Sequence, residues 1–270
     1  MHPPSNLDGV EPEGTPMATQ TRTPPRAPMD TMRKTALVAG ALYLITFVTS
    51  IPALPLYHDI LNNQNYVLGS ASDTGVLIAA VLEILCGLAG IATAVVLFPV
   101  IKRKSETAAL GFVTARVLEA VMIFVGVLSV LSIVTLHKNG ASGAETASLV
   151  ATGRSLVAVH DWTFLLGPGI MPALNALCLA TVLYRTRLVP RIIPTVGLVG
   201  APILFLSAMA ILFGAYDQVS SWSALTALPI AAWEFSLGVW LVFKGFTLAP
   251  VVVTDPAVVD LDSVVVPAGV

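Results

Sequence analysis

The chain of 270 residues is 56% hydrophobic and 11% charged, with a mean hydropathy of +0.84 and a formal net charge of −2. A soluble domain carries about 25% charged residues, so this composition excludes an ordinary soluble fold and points to lipid as the solvent. The near-neutral charge also excludes a nucleic-acid partner held through its phosphates.

In chain order, residues 1–34 are polar and rich in proline and read as a disordered cytoplasmic leader, because they cannot bury enough apolar surface to offset their ordering entropy. The first apolar run starts too late and runs too long for a signal peptide. Six apolar stretches follow, near 36–57, 74–101, 108–136, 162–184, 195–216 and 224–246. Each approaches or exceeds the roughly 20 residues that cross about 30 Å of hydrocarbon. None alternates in hydrophobicity as barrel strands do, so the reading is helical. Residues 35–246 therefore form one all-α domain, an integral membrane bundle of six transmembrane helices. Residues 247–270 alternate valine with Asp255, Asp260 and Asp262 and read as a disordered tail.

Ahead of the fourth run, Ala144 to His160 forms either an amphipathic surface helix or an upward extension of that span, since Leu149, Leu156 and His160 share a helical face. Gly167-Pro168-Gly169 and Pro172 then predict a kink or a lost helical hydrogen bond between residues 164 and 172, because proline removes a backbone donor.

Orientation follows from the basic residues. Arg22, Arg26, Arg33, Lys34, Lys102, Arg103, Lys104, Arg185, Arg187, Arg191 and Lys244 fall on one side of the six runs, and only Lys138 and Arg154 on the other. The positive-inside rule then puts both termini in the cytoplasm of a multi-pass plasma-membrane protein.

No phosphate loop, dinucleotide fingerprint, zinc-protease helix or nucleophile elbow is present, so no cofactor, metal or catalytic residue is assigned and an intramembrane enzyme is the least favoured reading. Cys86 and Cys178 lie inside apolar runs and read as packing residues. The histidines at 2, 58, 137 and 160 read as solvated residues of loops and membrane edges, without metal-ligand spacing.

The informative residues are those charged within spans: Glu83, Arg116, Glu119 and Glu234, with Asn175 as a neutral companion. At about 1.5 Å per residue from each cytoplasmic anchor, Arg116, Glu119, Asn175 and Glu234 lie roughly 12–16 Å deep, in one layer near the midplane. Glu83, at about 27 Å, belongs nearer the outer mouth. A central charge costs roughly 2.5–3.5 kcal/mol on insertion, so these residues should pair, protonate or meet water. Each also sits on a stripe of small residues, such as Ala115 and Gly126 beside Glu119 or Ala231 and Gly238 beside Glu234, which lets helices approach closely. Arg116 reaches Glu119 one turn away, or else snorkels to the inner headgroups. Glu234 is then either a second partner for Arg116 or a protonatable acid without a cation.

Four segments together resemble a known pattern: Ala39-Gly40-Ala41-Leu42-Tyr43-Leu44, Arg116 with Glu119, Leu183 through Arg191, and Glu234 through Phe246. They resemble the bacterial membrane family called domain of unknown function 4386, over about residues 33–246. The resemblance implies a multi-span membrane protein and brings no substrate or reaction with it.

Two functional readings lead. One is a carrier whose midplane polar layer holds a small solute or a proton. The other is a structural or regulatory membrane protein whose buried charges only clip helices together. Beyond the lipid bilayer no partner or oligomeric state is encoded.

Overall fold

The computed structural model describes residues 29–140 and 146–247. The leader up to residue 28 and the tail from 248, both expected to be disordered, lie outside the described residues. Within them the chain is helical and without strands. In chain order the elements are α1 (Met29–Leu56), the short α2 (His58–Asn62), a 3-10 turn (Tyr66–Leu68), α3 (Thr74–Lys102), α4 (Glu106–Asn139), α5 (Thr146–Leu166), α6 (Met171–Thr186), α7 (Ile192–Leu212) and α8 (Ser221–Phe243).

Six spans result, with α5 and α6 together forming the fourth, at Thr146–Thr186. Large apolar side chains such as Val95 and Leu128 stay more than 60% exposed, which is tolerable only against acyl chains. The spans close into a ring. α1 packs on α3, α3 on α4, α4 on both α5 and α6, α6 on α7, α7 on α8, and α8 on α1.

Small residues make the last closure possible. A Cβ added at Gly40 would lie 2.6 Å from the Gly238 carbonyl oxygen and 2.8 Å from the Val242 amide nitrogen, so the two backbones nearly touch. Arg33 then fastens the same pair, donating to the carbonyls of Leu241 at 2.8 Å and Val242 at 2.6 Å. These are carbonyls of the last turn of α8, which have no partner within the helix and favour a cation. The same contact explains why α1 begins at Met29, ahead of the boundary expected at residue 35: its first turns are held by α8.

Arg33, Lys102, Arg103, Lys104, Arg185, Arg187, Arg191 and Lys244 all lie at or beyond helix ends on one face of the bundle, here called the basic end. At the far end, Tyr57, Ile60, Tyr66 and Val67 cap a second apolar core built with Val130, Ile133 and Val134 of α4.

The fourth span settles the two alternatives for Ala144 to His160. Residues from Thr146 onward extend the span instead of lying on the surface as a separate helix. It breaks where Gly167-Pro168-Gly169 predicts. Gly169 N–H bonds back to the Phe164 carbonyl, five residues away, Ile170 N–H bonds to Gly167, and regular helix resumes only at Met171.

Candidate functional site

α4 places Arg116 and Glu119 three residues apart on one face, and the ring turns that face inward. Arg116 is 3% exposed. Its Nη1 donates to Glu119 Oε2 at 3.1 Å, and its Nη2 donates to Glu234 Oε1 across the ring, on α8. Asn175 of α6 donates from Nδ2 to the same Glu119 Oε2 at 3.2 Å. Arg116 thus points to the two acids and not to the headgroups at the basic end. The structure brings together Arg116, Glu119, Asn175 and Glu234, from three helices.

Aromatic faces complete the seat of the guanidinium. Its carbon lies 5.2 Å from the centre of the Tyr43 ring and 6.0 Å from that of Phe112. Phe112 was readable from its spacing of four residues before Arg116. Tyr43 was not, because only the α1–α8 closure carries it there.

Two features go beyond a simple helix clip. First, one guanidinium faces two carboxylates, so the cluster carries a formal −1 when both acids are ionised. Arg116 Nε and Asn175 Oδ1 nearby are buried without a hydrogen bond, as are the Tyr43 hydroxyl and the Trp233 indole N–H. Second, a cavity of about 190 Å³ has Arg116, Glu119 and Glu234 in its wall, with Ser50, Pro168 and Ala227 among its other lining residues. Ala227 lies two turns of α8 before Glu234, so the cavity extends from the charged layer toward the far end.

Glu83 stands apart from this layer. It is half-buried and lines a separate void with His160, Thr163 and Pro168. Here the reading of the histidines needs correction. His160 is not a solvated edge residue but 5% exposed, with its ring edge-on to Tyr57 at 5.7 Å. The cause is the extension of α5, which carries residue 160 along α4 inside the bundle. His137 is also engaged: Nδ1 lies 2.9 Å from Asp73 Oδ1 and Nε2 lies 2.9 Å from the Gly69 carbonyl, so α4 is tied to the loop before α3. Tyr66 donates to Asp73 at 2.9 Å in the same clip, and burial and that acid push its phenol up. The His160–Tyr57 and His137–Asp73 contacts have no local sequence signal, since their partners lie more than sixty residues apart. Among the described residues no group of three or more histidine, cysteine or acidic side chains is placed to hold a metal ion.

An all-α ring of six spans with an internal ion cluster defines a polytopic integral membrane protein. Residues 38–245 match the family described as Domain of unknown function (DUF4386), and the chain belongs to that family. No curated protein and no solved structure matches it.

Proposed function

We propose that this protein is a plasma-membrane carrier with cytoplasmic termini, whose Arg116–Glu119–Glu234 layer binds either a proton or a small monovalent cation. The observation that carries the reading is the pairing of two carboxylates with one guanidinium in the wall of a cavity. An uncompensated charge in a low-dielectric interior is costly, so the cluster gains by taking up one positive charge. A proton and a cation satisfy the same deficit, and only one of them is needed at a time. Mutually exclusive occupancy is the elementary requirement for exchanging one for the other across a membrane.

The residues divide the work. Arg116 fixes one oxygen of each acid and holds the two acids within one arginine's reach. Asn175 adds a second donor to Glu119 Oε2, so Glu119 is the more firmly held of the pair. Glu234 has Oε1 on Arg116 and no second donor among the described residues, which leaves Oε2 for an occupant. The Pro168 break adjoins the cavity and interrupts the regular backbone bonding of its span, which suits it to move when occupancy changes.

Proteoliposomes enclosing a pH-sensitive dye test this. Addition of sodium, potassium or a small alkylammonium ion outside should move protons in the opposite direction for at least one of these cations. Glu234→Gln should abolish that signal in protein that remains folded. A folded wild-type protein that moves no protons with any of these cations leaves the helix-clip reading, for which the double pairing of Arg116 across α4 and α8 also speaks.

A further inference from the structure

Glu83 and His160 are an acid and an imidazole inside the bundle that the charged layer does not use. They meet at a void of about 10 Å³, lined also by Met122, Thr163 and Pro168. That volume is close to what a single water needs, and the walls supply the polar partners a water requires. Tyr57, 2% exposed, lies within interaction range of Glu83. His160 Nδ1 lies 3.4 Å from Asp161 Oδ1, and Nε2 has no hydrogen bond among the described residues. An imidazole with one unused nitrogen and a carboxylate thus border one water-sized space.

The packing that creates this space is specific. A Cβ at Gly126 of α4 would lie 3.0 Å from Thr163 Oγ1 and 3.5 Å from His160 Cδ2, so only glycine lets α5 come this close. α4 brings no charge to the void, through Met122, Ile123 and Gly126. The groups that face Glu83 and His160 are Tyr57, just past the end of α1, and Asp161 beside His160; Cys86 on α3 faces the charged layer instead, within electrostatic reach of Glu119.

The void does not stand alone. Pro168 lines both it and the larger cavity at Arg116, Glu119 and Glu234. The same break therefore separates the two polar sites.

We propose that Glu83 and His160, bridged by one water, form a second proton-binding site that passes protons between the far end of the bundle and the Glu119–Glu234 layer. This rests on the proton-binding reading of that layer. In the step itself an N–H bond of the His160 imidazolium breaks and an O–H bond of Glu83 forms, with the water accepting one proton and releasing another. The imidazolium and carboxylate become imidazole and carboxylic acid, and the total charge is unchanged. Motion at Pro168 would then open or close the way to Glu119.

Infrared difference spectra between mildly acidic and mildly alkaline buffer test this on the full chain in phosphatidylcholine nanodiscs. A titrating protonated-carboxyl band is expected that Glu83→Gln removes and Glu119→Gln leaves in place. His160→Gln should move its midpoint by about one pH unit or more, the size of a lost neighbouring charge. Should His160→Gln fail to fold, Gly126→Ala serves instead, because its Cβ presses on Thr163 in the wall of the void without removing a titratable group, and should also move the midpoint. If every titrating carboxyl band survives Glu83→Gln, the inference is overturned. Where such bands are lost only in Glu119→Gln or Glu234→Gln, the layer's proton-binding role stands without the second site. A band removed by Glu83→Gln but indifferent to both His160→Gln and Gly126→Ala overturns the pairing. The absence of any titrating carboxyl band overturns both readings.

Discussion

Arg116 shows how far a single residue's chemistry can be followed. It is 3% exposed and engages two acids and two aromatic faces, so its removal leaves Glu119 and Glu234 facing each other without a cation. Breaking a buried pair by deleting one partner costs about 3–5 kcal/mol, chiefly from the charge left uncompensated. Arg116→Met should therefore lower the thermal midpoint in detergent sharply, and combining it with Glu119→Gln and Glu234→Gln should restore most of the loss. Glu83→Gln, which leaves no charge stranded, should shift the midpoint little by comparison. A single Arg116→Met variant as stable as the wild type would show that the cluster contributes nothing to folding. The sequence reveals this layer because depth along a helix is simple arithmetic and a central charge has to be compensated. Tyr43 and His160 escape such reasoning, since their positions depend on which helices become neighbours.

Elements inherit their limits from the same source. Length and unbroken apolarity announce each span, and the glycine-proline run announces the break after Leu166, because both follow from the backbone's need for hydrogen bonds in lipid. What periodicity cannot show is that α1, first in the chain, closes the ring against α8, last in it. The contact is legible only afterwards, as Gly40 on one helix meeting Gly238 on the other. It also yields a sharp expectation. Gly40→Val would drive side-chain atoms into the backbone of α8, where no flexible side chain can give way, at a cost of about 1–3 kcal/mol or more. The charged layer should suffer with it, because Tyr43 and Glu234 sit on the two helices being parted. Crosslinking between cysteines that replace Phe47 and Phe235, whose ring centres lie 5.6 Å apart across the same two helices, reports the separation. Undiminished crosslinking in Gly40→Val would show that the α1–α8 contact is looser than its geometry implies.

The whole molecule is asymmetric from end to end, and this asymmetry decides how it lies in the membrane. Nine basic residues, Lys34 among them, cluster at one end among the described residues, whereas Lys138 and Arg154 are the basic residues of the other. Arg154 there donates to Gln64, and Lys138 follows the His137 clip. Positive charge beside a span resists translocation, and on that ground we propose that the basic end, where α1 starts and α8 ends, faces the cytoplasm. Lys104 is an exposed residue of the tight turn between α3 and α4, and it suits a cysteine better than Ser105, whose hydroxyl caps α4 by accepting from the Ala108 amide. Ser70 is exposed in the loop before α3, at the far end, and its hydroxyl makes no hydrogen bond among the described residues. The native Cys86 and Cys178 are half-buried within α3 and α6, so they add little background. An impermeant maleimide applied to intact cells should label a cysteine at position 70 and miss one at position 104 until the membrane is opened. Labelling at 104 in intact cells, with 70 protected, would invert the bundle and turn the cavity above Glu234 toward the cytoplasm.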